Sequence, residues 1–177
     1  MHVAIPFLGC IAAALALIGP LHDAAERSLA AHMVQHMLLI GVAAPLLAPS
    51  LPRLRFSPAA AFALHGAVIW LAHAPAAIAW MAQSHVVHMA AHAALFGSAI
   101  LFWWALLPRS GAASLWALAT MIHTGILGAL MTFAPRELYT GYSLQDQQLA
   151  GLIMWVPGGF LYLGAGLAFA RRWIASF

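Results

Sequence analysis

The chain has 177 residues and a mass of 18.8 kDa; 64% of it is hydrophobic, 6% is charged, and the mean hydropathy is +0.92. A soluble domain averages roughly 25% charged residues, so these figures exclude an ordinary globular domain, a disordered tail and a nucleic-acid binder that works through a broad basic surface. The basic balance comes from Arg alone, with no Lys, and the single Cys10 excludes a disulfide scaffold, a CxxC redox pair and a thiolate-built zinc or iron–sulfur site.

Apolar stretches of about 20 residues cross a bilayer as helices that satisfy their own backbone hydrogen bonds. The pattern predicts six, at about 5–18, 28–47, 58–81, 85–107, 113–133 and 146–170, in one domain covering 1–177. The first is short. Phe7-Leu8-Gly9-Cys10 is read as part of this retained span and not as a lipoprotein cleavage site, because no Lys or Arg precedes the apolar run. Pro45, Pro49 and Pro52 stop the second span, and Pro75 lies inside the third. Pro108 and Pro135 follow the fourth and fifth, and the sixth carries Pro157-Gly158-Gly159. The expected fold is an all-α integral membrane bundle.

Arg53, Arg55, Arg109, Arg171 and Arg172 fall on one side of that bundle, and Arg27 and Arg136 on the other. The excess of arginine marks the cytoplasmic side, which puts both termini in the cytoplasm and all four acids outside. Trp80, Trp103, Trp104, Trp116 and Trp173 are read as interfacial anchors.

Ten His and eight Met are an unusual load for such an apolar chain. Ionisable residues inside membrane spans are costly and mark function. At ~1.5 Å per residue, His32, His36, His73, His88 and His92 fall within ~5–12 Å of the outer ends of three successive spans. The four-residue spacing of His32 and His36 puts both on one helix face, and His85, His88 and His92 share another. His123 lies near the midplane, His65 nearer the cytoplasmic side, and His2 and His22 at or beyond span ends. A lone intramembrane His also serves as a hydrogen-bond partner for a neighbouring helix, which is the simpler reading of His65 and His123; for Met81, Met89 and Met121 it is packing.

Imidazole with thioether suits Cu(I), and imidazole alone accepts Cu(II) or Zn(II). Neither His pair carries the Glu of an HExxH zinc hydrolase, so no enzyme is expected. The expected metal ligands are His32, His36, His73, His88 and His92. Met33, Met37, Met154, His85 and His123 are accessory candidates, and Asp146 would orient a His or balance charge.

His32-Met33-Val34-Gln35-His36-Met37-Leu38-Leu39, Ala43-Ala44-Pro45-Leu46-Leu47, Trp70-Leu71-Ala72-His73-Ala74-Pro75 and Phe102-Trp103-Trp104 stand in a specific order. With the closing segment from Asp146-Gln147-Gln148 to Pro157-Gly158-Gly159, they resemble the CtaG family of cytochrome c oxidase assembly factors of the caa3 type. The resemblance implies an integral membrane protein needed to build a haem–copper oxidase, with a role in copper supply. Two departures stand out. Beside members with an additional N-terminal span the chain looks like a short form, and Ala91 stands where they tend to carry an acid before the second His of the fourth span.

The combined expectation is a protein of the bacterial inner membrane that binds copper, as Cu(I) or Cu(II), in an outer-leaflet site. Its partners would be oxidase subunits or other copper chaperones, membrane lipid, and a second copy of itself in a homo-oligomer, with no nucleic acid. Three alternatives stay open at the level of sequence: a haem b protein with two axial His, a proton-relaying transporter or membrane enzyme, and a metal-free chaperone that docks through its Gly and Ala faces.

Overall fold

Hydropathy and helix breakers determine the architecture of the computed structural model, which describes residues 4–52, 56–107 and 111–177. Of the described residues 84% are helical and none lies in a strand. Helix α1 (Ala4–Leu17) ends at Gly19, whose φ of 87° is open to glycine, and Pro20 starts the short α2 (Pro20–Ala25). Serine hydroxyls then open four helices by accepting a first-turn N–H. These are Ser28 for α3 (Leu29–Leu38), Ser57 for α5 (Pro58–Ala72), Ser84 for α7 (His85–Leu106) and Ser143 for α9 (Leu144–Ile174).

Helix α3 does not end at Leu38. It widens into one π-helical turn (Leu39–Ala43), returns to α geometry in α4 (Ala44–Leu47) and tightens to a 3₁₀ turn at Ala48–Ser50. Within the wide turn the Ile40 carbonyl accepts the Trp103 indole N–H at 2.7 Å. Trp103 and Trp104 are therefore core residues, 4% and 9% exposed, and not the interfacial anchors that their position near a span end suggests. Trp103 stacks on Tyr162 with ring centroids 5.8 Å apart. A buried indole needs an acceptor, and the wide turn supplies one. Trp80 and Trp173 do lie on the exterior.

The third predicted span is not a single helix. It breaks at His73–Ala74 into α5 and α6 (Pro75–Gln83), bent by 68°. Pro75 lacks an N–H and crowds the residue before it out of the α region; Ala74 is accordingly extended. The Tyr139 hydroxyl donates to the His73 carbonyl at 2.9 Å and fastens the corner. Burial pushes that phenol up to about 12, so it stays a donor at neutral pH.

Helix α8 (Gly111–Thr132) and α9 pack closely because Gly128 and Gly151 face each other. A Cβ on Gly151 would stand 2.5 Å from the Gly128 carbonyl oxygen, the backbone approach that small residues permit between membrane helices. Pro157 sits inside α9 without ending it.

Among the described residues four helical runs are long and apolar enough to cross a membrane, Leu29–Ser50, α7, α8 and α9, or five if the bent α5–α6 pair is one span. The chain is thus a multi-pass membrane protein. The remaining predicted span, the first, is α1, whose 14 residues reach ~21 Å against a hydrocarbon core of ~30 Å. Of the arginines behind the orientation argument, Arg53, Arg55 and Arg109 lie outside the described residues, as do His2 and Pro108.

Candidate metal centre

The first two turns of α3, the corner after α5 and the first two turns of α7 meet at one end of the bundle, the end that also holds Glu26 and Asp146. Each element brings histidines. His32 and His36 lie one turn apart on α3 with ring centroids 4.2 Å apart, and His88 and His92 stack on α7 at 4.5 Å and 5°. Across the helices His32 stands 5.0 Å from His92 and 5.5 Å from His88, while His36 stands 5.0 Å from His92 and 5.5 Å from His73. All five rings are buried and form one continuous group.

One nitrogen from each of His32, His88 and His92 lies within 4.8 Å of the other two. Imidazoles sharing an ion at ~2.0–2.1 Å put their nitrogens about 3.5 Å apart, so small side-chain rotations bring this trio to a common centre. Nε2 of His32, Nδ1 of His36 and Nε2 of His88 are buried without a hydrogen-bond partner. Buried polar atoms are normally satisfied. Three unsatisfied ring nitrogens in one cluster fit a bound cation, and neutral imidazole is the donor that such a cation takes.

Backbone carbonyls orient two of the rings. His73 Nδ1 lies 2.7 Å from the Ile69 carbonyl, and His92 Nδ1 lies 3.0 Å from that of His88. A neutral ring has one N–H, and donating it one turn back leaves Nε2 as the lone-pair nitrogen. His73 Nε2 then faces Met33 Sδ at 3.3 Å, and His92 Nε2 faces Gln35 Oε1 at 3.0 Å. In both contacts acceptor meets acceptor, and an ion would relieve the opposition.

Gln35 is the residue that sequence reasoning missed. It is fully buried, and its Nε2 donates to the Ala16 carbonyl at 2.8 Å and reaches His22 Nδ1 at 3.3 Å. The available signal was its position, the one polar side chain besides the two histidines between Leu29 and Leu47. His22 also joins the group, its ring 5.9 Å from His88 and its Nε2 3.7 Å from Glu26.

A cavity of about 310 Å³ opens onto the cluster, lined by Glu26, His32, Met81, His85, His88 and Tyr142. His85 therefore belongs to the mouth. Met33, Met37 and Met154 lie deeper, around a second cavity with His36 and His73. His123 is placed elsewhere: its Nδ1 accepts the Trp70 indole N–H at 3.3 Å and its ring packs on Phe62.

Asp146 does not touch a histidine. Its carboxylate accepts from Ser28 Oγ at 2.7 Å and from the backbone N–H groups of Leu29 and Ala30 at 2.7 and 3.1 Å. The unsatisfied N–H groups and positive dipole end of α3 attract the carboxylate more directly than an imidazole would. Asp146 thus ties α9 to the start of α3. Its charge, after burial, also raises the nearby Tyr142 phenol.

No curated protein and no solved structure matches the chain. The family of cytochrome c oxidase caa3 assembly factors, Caa3_CtaG, matches residues 2–57 and 51–176. With that match across an all-helical membrane bundle, the chain belongs to the caa3-type cytochrome c oxidase assembly factors.

Proposed function

We propose that this assembly factor binds copper in the histidine cluster and passes it to the oxidase or to another copper chaperone. The observation that carries the reading is the set of three buried, unpartnered nitrogens on His32, His36 and His88. His32, His88 and His92 form the principal set, and His36 and His73 extend it inward. His22, His85 and Glu26 border the cavity through which the ion arrives and leaves. The work is binding and handover, not catalysis. Copper supplies one thing, a soft cation that imidazole nitrogens hold without any permanently buried charge. The chain orients the rings through carbonyl groups, keeps water from the deeper ones and exposes the outer ones at the cavity floor.

In this reading the protein sits in the bacterial inner membrane with the acidic end outside and both termini in the cytoplasm. Haem b is the weaker alternative, because the rings touch one another at 4.2–5.5 Å and leave no gap for a macrocycle between two axial histidines.

The test is elemental analysis and an optical spectrum of the purified full chain after Cu(I) loading. Stoichiometric copper, no Soret band, and loss of copper in His32→Ala and His88→Ala are expected. A metal-free chain, or copper unaffected by either substitution, would overturn the proposal.

A further inference from the structure

Beneath the histidine trio lies a second, much smaller cavity of about 10 Å³, lined by Met33, His36, Met37, His73, Met154 and Tyr162. That is room for one water-sized occupant. Its donors differ from those above: three thioethers and two imidazoles, with no carboxylate among the lining residues.

The central contact is between His73 and Met33. The His73 Nδ1–H is committed to the Ile69 carbonyl at 2.7 Å, so the Nε2 lone pair faces the Met33 sulfur at 3.3 Å with no proton between them. Thioether sulfur has no hydrogen to donate. Nitrogen at ~2.0 Å and sulfur at ~2.3 Å from one ion are 3.3 Å apart when the angle between them is about 100°, so the two atoms already stand at the spacing of a shared ligand pair. Met33 is fully buried, and the Ile69 and Tyr139 bonds hold His73 at the α5 corner. Met37 Sδ lies beside Gly158, 3.4 Å from where a Cβ would stand. An alanine methyl there would stand in ordinary contact with the thioether.

The geometry points to a discrete inner site for a soft monovalent cation, Cu(I) or its redox-silent mimic Ag(I), built on His73 and Met33 with Met154 and Met37 as further sulfur donors. It depends on the copper-carrying role proposed above and adds to it a division of labour by depth. Near the mouth, imidazoles close to Glu26 accept divalent or monovalent ions. Below, thioethers are poor donors to hard divalent ions, and without a carboxylate a second positive charge has no compensation. The His36 ring, in contact with His32, His92 and His73, stands between the two sites and provides a path for the ion. Transfer between them is ligand exchange of a monovalent ion, with no change of oxidation state.

The experiment titrates the purified full chain with Ag(I) and separately with Zn(II), reading stoichiometry by elemental analysis and the silver environment by X-ray absorption. We expect about two Ag(I) and about one Zn(II) per chain, with sulfur bonded to part of the silver. Met33→Leu with Met154→Leu, which conserves side-chain volume, should remove one Ag(I) and the sulfur signal while leaving Zn(II) intact. The unloaded variant should melt within a few degrees of the parent. A single Ag(I) with no sulfur contact, a silver count unchanged in the double variant, or Zn(II) occupying the second site would overturn the inner site and leave the outer one standing. Binding of neither ion would overturn both.

Discussion

Gln35 holds two groups with its amide nitrogen, the Ala16 carbonyl and the His22 ring, and turns its Oε1 toward His92 Nε2. Gln35→Leu keeps the bulk but removes every polar bond, and an orphaned buried partner costs about 1–3 kcal/mol. The metal-free variant should therefore unfold at a lower temperature in detergent. The copper-loaded variant should lose at least as much, because the ion has already relieved the opposition between His92 Nε2 and the amide oxygen; comparing loaded and unloaded melts checks this. Asp146→Asn separates the two roles that a lone acid at the edge of a His cluster can have. It keeps one acceptor and loses the charge-assisted cap of α3, a loss of about 1–2 kcal/mol. Stability should fall while Zn(II) affinity stays within about twofold; a tenfold weaker affinity would instead make it a partner of the ion. The histidines were legible because one-turn spacing and depth can be counted along a helix. The attachments of Gln35 and Asp146 were not, because their partners are 19 and more than 100 residues away and depend on which helices become neighbours.

At the level of elements, hydropathy located the helices and prolines located their ends, but angles escaped the pattern. Pro75 reads equally as a kink within a span and as the first residue of a new helix. The structure has the second, because Ala74 turns extended and Tyr139 secures the corner. Tyr139→Phe should loosen that corner by about 1–3 kcal/mol through the freed His73 carbonyl, and hydrogen exchange should rise around 71–78. The α8–α9 contact offers a cleaner contrast. Gly151→Ala places a methyl 2.5 Å from both the Gly128 oxygen and Thr132 Oγ1, whereas Gly164→Ala meets nothing within 4 Å. The first must push two backbones apart and should destabilise by several kcal/mol. The second should stabilise slightly, since Ala exceeds Gly in helix propensity by about 1 kcal/mol. Thermal melts of the two variants side by side test this directly, and equal melting points would refute the close approach.

Across the whole molecule, polarity is sorted by end. Arg171 and Arg172 are exposed at the close of α9, while Glu26 and Asp146 lie at the opposite end beside the cavity mouth. With Cys10 replaced by Ser, Thr140→Cys should react with an impermeant maleimide in intact cells and Ser176→Cys only after permeabilisation. The reverse pattern would turn the cluster toward the cytoplasm and end delivery from the outer face. The wide turn at Leu39–Ala43 has a consequence on this same scale. A π turn takes up one extra residue within a single turn, so it keeps the histidine-bearing half of the helix in phase with the half that packs on α1 and α7. A single deletion between 39 and 43 would let the helix rewind as ordinary α with both halves still in phase, whereas a further insertion with no second wide turn would swing His32 and His36 by about 100°, out of reach of the other rings. The number of residues between the last of these two histidines and Pro45 is thus a dimension of the machine, and composition there matters less than count.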